Sequence, residues 1–318
     1  MGSQNFAIVS KRYPVGVKIL IRLAVALGLC AIGSLYYTPF RIATLVALGR
    51  AGSCPLGNAL DIHKHFEDER GIKDRILAAS KKLKTEDNFE LWETPYGQFW
   101  IPNGSKYVLP FNLAEQEMMI YGKGEQGVHK GEIVLDGGAN VGVFVRFALN
   151  AGAKLVVAIE PGPENIECLR RNFKTEIEAG RVIVYPKGIW DKEEILTLRI
   201  DPNNSAADSV VLKTEGQTKT VQVPLTTIDK MAEELKLERI DYIKFDIEGA
   251  EPNALLGGSA SIAKYKPRLS VSAYHAADHA ALIPEIIKKI RGDYKMECGP
   301  CNESKQEYLI RPEILYFR

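Results

Sequence analysis

Between Ile133 and Gly142 the chain reads Ile-Val-Leu-Asp-Gly-Gly-Ala-Asn-Val-Gly, and this stretch leaves few folds open. A short β-branched run ends on Asp136, after which Gly137, Gly138 and Gly142 bend the backbone into a helix starting near Val141. Glycines at such a turn adopt dihedrals closed to other residues and let a ligand approach the backbone, while the first N–H groups of the helix point at it. Beyond the helix 143–150, a second apolar run over 154–159 ends on Glu160-Pro161-Gly162. That spacing predicts one βαβ unit, with a carboxylate placed to accept hydrogen bonds from both ribose hydroxyls of a nucleoside. A dinucleotide site would carry Gly-x-Gly-x-x-Gly around a pyrophosphate, whereas here an acid opens the turn. An acid suits a cationic, phosphate-free nucleoside such as S-adenosylmethionine.

A third segment, Lys244-Phe-Asp-Ile-Glu-Gly-Ala-Glu251, follows a later apolar run over 240–245. With Val134–Gly142 and Glu160-Pro161, it resembles the FkbM family of S-adenosylmethionine-dependent methyltransferases, over a region from about Phe111 to the C terminus. The resemblance implies an α/β, Rossmann-like class I methyltransferase fold: a seven-stranded, mostly parallel sheet with a C-terminal antiparallel hairpin. It implies O-methylation of sugars, glycolipids or polyketide-type natural products. The cofactor set read from these segments is Asp136, Gly137, Gly138, Ala139, Asn140, Gly142, Glu160, Pro161, Gly188, Trp190 and Asp246. Trp190 either packs on the adenine or is a core tryptophan, and both readings stand. The resemblance further suggests that Asn204, Ser205 or Ser209, in the polar loop 201–209, lines the acceptor pocket. It also suggests that an acid of the helix 113–121, Glu115 or Glu117, faces the cofactor side, with a solvated face as the equal alternative.

Methyl transfer to a hydroxyl requires alignment, exclusion of water and removal of the hydroxyl proton. Asp246, at the exit of the strand 240–245, is the leading base and Glu248 its deputy, with Lys244 holding either carboxylate ionised. His275, just after the strand 268–272, is a second candidate base. Paired acids binding a divalent ion are an alternative, but no dedicated metal-ligand spacing occurs. His63 and His65 stand two apart on a helix and do not share a face.

Residues 15–37, VGVKILIRLAVALGLCAIGSLYY, predict an N-terminal membrane helix, with Lys18 and Arg22 snorkelling near its start. A signal peptide and a buried helix are the weaker readings. The run 40–49, FRIATLVALG, suits the membrane interface. The chain then divides into an anchor and interfacial segment (1–52), a linker, charged helix and β-hairpin extension (53–110) and a methyltransferase domain (111–318). The expected localisation is membrane-anchored, single-pass or monotopic. Lys11, Arg12, Lys18 and Arg22 favour a cytoplasmic N terminus, while cytosolic S-adenosylmethionine favours a cytoplasmic catalytic domain. The expected partners are the membrane through that helix, a hydroxylated glycan, lipid-linked or small-molecule acceptor, and a membrane protein. Lys+Arg 41 against Asp+Glu 40, a net charge of +1, argues against nucleic acid. Cys298-Gly-Pro-Cys301 lies in a terminal hairpin; it forms a disulfide if the domain is extracytoplasmic, or a metal site with Cys54. The competing class is a catalytically silent methyltransferase-like scaffold or accessory subunit.

Overall fold

The computed structural model describes residues 14–213, 216–304 and 307–318, without the side chains of 29–32 and 34–36. Its N-terminal part is helical: α1 (Val15–Tyr36), α2 (Thr38–Ala47) and α3 (Leu56–Ala79). Ile42 and Leu45 of α2 are buried with Cys54, Ala59, Ile62, Cys301 and Ile310. Arg41 forms an ion pair with Glu303, and Arg50 donates to the carbonyls of Glu307 and Tyr308. The run read as interfacial therefore turns its apolar side into protein. Among the described residues no helix is long and apolar enough to cross a membrane. This corrects the expected N-terminal membrane helix, and with it the membrane-anchored localisation. Lys18 and Arg22 lie one turn apart on α1, and Lys11 and Arg12 are outside the described residues.

Cys54 and Cys301 form a disulfide across a sequence separation of 247, while the Cys298 thiol donates to the Ser53 carbonyl at 3.2 Å. The pairing expected within Cys298–Cys301 is thus replaced, because α2 and α3 pack on the terminal hairpin and bring Cys54 against buried Cys301. A cross-link over so long a loop restricts the unfolded chain and contributes about 2–5 kcal/mol. Cys54→Ala should lower the Tm of the unreduced protein by several degrees, no less than reductant does for the wild type. A wild-type Tm unmoved by reductant would refute the bond.

β1 (Lys81–Glu86), β2 (Phe89–Thr94) and β3 (Gly97–Pro102) form an antiparallel sheet. The charged helix ends at Ala79, and the following residues pair with β2 as an exposed edge strand. The main domain follows with α4 (Val108–Glu117), β4 (Ile133–Gly137), α5 (Val143–Asn150), β5 (Leu155–Ile159), α6 (Pro163–Asn172), α7 (Lys174–Glu178) and β6 (Val182–Tyr185). A side sheet is built from β7 (Gly188–Ile189), β8 (Glu194–Ile200) and β9 (Lys219–Thr226). The chain returns through α8 (Ile228–Glu234) to β10 (Tyr242–Phe245), α9 (Glu251–Gly257), α10 (Ser259–Tyr265), β11 (Arg268–Ser272) and α11 (His279–Ile290). It ends in β12 (Met296–Cys298), β13 (Cys301–Ser304), β14 (Leu309–Pro312) and β15 (Ile314–Phe317).

The main sheet has seven strands in the order β12-β15-β11-β10-β4-β5-β6. The five from β11 to β6 are parallel, while β15 runs antiparallel to β11 and to β12. The antiparallel end is wider than a single hairpin, since β12 and β15 join the main sheet and β13 and β14 pair beyond it. Both faces of the parallel strands are covered, as their continuous apolar runs require. Leu135, Val157 and Ile243 pack into one core, and their neighbours Val134, Val156 and Tyr242 into the other. The chain builds outward from β4 through β5 to β6, then returns to β10 on the other flank. Strand order therefore reverses between β4 and β10, and a crevice opens at their carboxyl ends.

Candidate active site

The parallel register sets Asp136 of β4 opposite Lys244 of β10. Lys244 Nζ donates to Asp136 Oδ1 at 3.0 Å and to the Gly138 carbonyl at 3.0 Å, and lies 5.1 Å from the Tyr121 ring centroid. Burial opposes the ammonium charge, but Asp136 and Asp246 outweigh it and raise the Lys244 pKa. Asp136 Oδ2 stays buried without a partner. Gly138 follows in the left-handed region (φ 75), where a Cβ would lie 1.9 Å from the Asp246 carbonyl. Only glycine lets the exits of β4 and β10 approach so closely. Gly142 (φ 92) caps α5 against Phe173.

Glu160, at the end of β5, is buried; its Oε2 accepts from the Asn140 amide and its Oε1 from the Gly162 amide, both at 2.8 Å. Oε1 also accepts from Asn165 Nδ2 at 3.5 Å, and Oε2 keeps a lone pair for a further donor, such as a ribose hydroxyl. A cleft of about 1060 Å³, mouth included, joins this end to the exit of β10. Gly138, Ala139, Asn140, Glu160, Pro161 and Gly188 line it toward β5, and Glu115, Tyr121, Lys244, Asp246, Glu248 and Tyr274 toward β10. The orphaned Asp136 oxygen, the glycine cradle and the spare capacity of Glu160 fit a cationic nucleoside.

Asp246 Oδ2 accepts from Tyr121 Oη at 2.7 Å and Oδ1 from Ser272 Oγ at 2.8 Å. Burial alone would raise its pKa, but Lys244, His275 and these two hydroxyls outweigh that and hold it below the usual range. His275, 3% exposed, sits behind it with Nδ1 2.8 Å from Glu251 Oε1, and Nε2 3.5 Å from Asp246 Oδ1 and 3.4 Å from Glu248 Oε1. Burial works against its charge, yet Glu251 and Glu248 hold the imidazole well above its ordinary pKa. Burial raises Glu248. Glu115 is raised well above the ordinary value, first by burial and then by Asp246. Glu117 turns away to Arg75 and Tyr96.

Several sequence candidates lie elsewhere. Asp136, Gly137 and Gly142 support the turn without lining the cleft, and Trp190 packs with Leu198, Val223 and Leu225, the core alternative. In the loop 201–209, Ser205 lines the cleft, held by Asn140 and Asn165 through its carbonyl, while Asn204 is exposed. Ser209 is buried and donates to the Glu248 carbonyl at 2.7 Å. Sequence reasoning passed over Tyr121, Tyr274 and Asp208, which all line the cleft. Tyr274 had a signal, its place beside His275 after β11; Tyr121 had none, since only the fold returns it to Asp246.

Asp208 carries a pH prediction. Its carboxyl is pushed up to about 8, chiefly by burial and further by Glu160 and Glu164, against a hydrogen bond from the Asp201 amide. The folded value exceeds the unfolded one, so the folded state binds more protons. This contribution to stability is complete below about pH 4 and is lost as pH rises through about 8. Asp208→Asn should therefore melt above wild type at pH 9 and not at pH 4. Discounting the shift to about one unit for solvent contact leaves about 1.4 kcal/mol. Calorimetry across pH checks this, and a gap that does not widen with pH refutes it.

A doubly wound sheet whose switch point carries a glycine turn, a strand-end carboxylate and a buried acid–lysine pair belongs to the α/β proteins that bind a ligand at the carboxyl ends of their strands. A family model described as the methyltransferase FkbM domain matches residues 136–296, about half the chain, and the chain belongs to that family. The matched region is a methyltransferase domain of the kind that uses S-adenosylmethionine. Among solved structures it is similar to methyltransferase FkbM from Methylobacillus flagellatus KT, at 18% identity and a TM-score of 0.44, covering 86% of this chain and 65% of that one. The chain thus spans 65% of that relative's length. It is similar to a tRNA methyltransferase from M. jannaschii at 12% identity and a TM-score of 0.41, covering 75% of this chain and 57% of the other. A protein from Streptococcus mutans in complex with SAH matches at 12% identity and a TM-score of 0.37, covering 60% of this chain and 90% of that one. No curated protein matches the chain.

Proposed function

We propose that the chain O-methylates a hydroxyl of a glycan, glycolipid or other hydroxylated acceptor, with Glu115 as general base. The observation that carries this reading is Glu115 itself. Its carboxyl lines the cleft near Asp246, no hydrogen bond or ion pair engages it among the described residues, and burial lifts its pKa well above the ordinary value. A carboxyl raised toward the working pH is a better base than one held low. Asp246 is held low, and His275 keeps its proton, so neither suits the role first read for it.

S-adenosylmethionine, when bound, supplies an electrophilic methyl on its sulfonium. Gly138, Asn140 and Glu160 would hold it, with Asp136 behind the turn and Pro161 and Gly188 beside them. Asp246, oriented by Tyr121 and Ser272, aligns the acceptor, and Glu115 takes the hydroxyl proton as the oxygen attacks. Tyr121, Phe144 and Tyr274 exclude water from this end. Several carboxylates and phenols here favour a neutral polyhydroxyl acceptor over an anion. A silent scaffold would have its cleft plugged by side chains, and the open cleft speaks against that alternative.

The test is calorimetric titration with S-adenosylmethionine, followed by transfer of its labelled methyl to oligosaccharide and glycolipid panels. Alkali-stable methyl ethers support the reading; alkali-labile esters, N-methyl products or no cofactor binding by folded protein refute it.

A further inference from the structure

We infer that Asp246, Glu248 and His275 form a divalent-cation site at the β10 end of the cleft, with Glu251 fixing the imidazole from behind. The ion's role rests on the methyl-transfer reading above, but the site stands on its own geometry. His275 Nε2 lies 3.5 Å from Asp246 Oδ1 and 3.4 Å from Glu248 Oε1. Ligand atoms bound ~2.1 Å from one small ion stand roughly 3.0–3.4 Å apart. A second set, Asp246, Glu251 and His275 without Glu248, brings one ligand atom each within 4.8 Å of the others. The His275 side chain is 3% exposed, and its Nε2 is buried without a hydrogen-bond partner.

The far side of the ring explains its orientation. Nδ1 meets Glu251 Oε1 at 2.8 Å, and the same oxygen accepts the Ile247 amide at 3.0 Å. With a proton held on Nδ1 by a buried carboxylate, Nε2 is the nitrogen that a cation between Asp246 and Glu248 would bind once it gives up its own proton, the carboxylate–histidine arrangement that prepares a metal ligand. Without the ion a proton on Nε2 faces the two carboxylate oxygens, and a divalent cation bound between them would take that proton's place. Two carboxylate oxygens and one imidazole make a mixed donor set suited to Mn²⁺, with Mg²⁺ bound more weakly. An ion here would bind the acceptor oxygen and lower its pKa, easing proton transfer to Glu115. No sequence spacing announces the site, because its ligands leave two different strands, β10 and β11.

The full chain, stripped with chelator, is titrated with Mn²⁺ while free ion is read by electron paramagnetic resonance. Expected are one tightly held ion per chain and imidazole-nitrogen modulation in the electron spin echo of the wild-type complex. Glu251→Gln should weaken binding ~10–100-fold, and His275→Ala at least as much, with melting curves confirming that both variants fold. No stoichiometric binding, no nitrogen modulation, or undiminished affinity in folded His275→Ala overturns the site. S-adenosylmethionine titrated in parallel separates the two readings. Cofactor binding without Mn²⁺ binding overturns the ion site alone, and Mn²⁺ binding without cofactor binding supports the site while overturning the proposed function.

Discussion

Asp136→Ala abolishes S-adenosylmethionine binding and destabilises the protein by about 3–5 kcal/mol. The first effect follows from the Asp136 carboxylate, whose Oδ2 is buried and unpartnered at the turn that would hold the cofactor. The second follows from Lys244, 4% exposed, whose only carboxylate hydrogen bond among the described residues is with Asp136 Oδ1 at 3.0 Å. Removing the acid strands an ammonium group in a low-dielectric interior. Replacing both partners with apolar groups removes the charge as well as its counter-charge, so Asp136→Leu with Lys244→Met should recover most of the stability and none of the binding. Urea titration and calorimetry read the two quantities separately. A single variant as stable as wild type would mean that other groups, Asp246 foremost, carry the Lys244 charge.

Glu115→Gln lowers kcat ~10²–10⁴-fold with S-adenosylmethionine affinity nearly unchanged. The amide fills the same volume and can still donate to an acceptor oxygen, but it cannot take a proton. Because burial and Asp246 raise the Glu115 pKa, wild-type kcat should climb with pH through that raised value as the carboxylate forms. That limb should vanish in the Gln variant. Replacing a half-buried acid by a neutral amide also removes a folding penalty at neutral pH, so the variant should melt no lower than wild type. A loss of less than tenfold would move the base elsewhere, with Glu248 next, since burial raises it too.

What could be read from the sequence was local. A β-branched strand, a turn that needs positive φ at Gly138 and Gly142, and an acid at each strand end are fixed by neighbours in the chain, and the Asp136, Glu160 and Asp246 segments could be placed on one sheet edge before any coordinates. Hydropathy, by contrast, does not say what an apolar face will meet. The run at 40–49 resembled a membrane-interface segment until Ile42 and Leu45 were found against Cys54 and Ile310. Cys298 and Cys301 resembled a pair until α3 brought Cys54 to Cys301.

Residue types at the site were legible, but their roles were not. Asp246 as base, and Trp190 as either an adenine contact or a core tryptophan, were inferences from position along the chain, whereas basicity depends on burial and on partners far apart in sequence. Tyr121 and Ser272 reach Asp246 from opposite flanks, and Glu251 and Glu248 face the two nitrogens of His275. The sequence alone determined the strand–turn–helix that defines this family, because glycine dihedrals and strand-end acids act over a few bonds. Only the tertiary structure decided which carboxyl is raised, which cysteines join and where the N-terminal helices pack, because desolvation and charge pairing depend on distances that chain order does not contain.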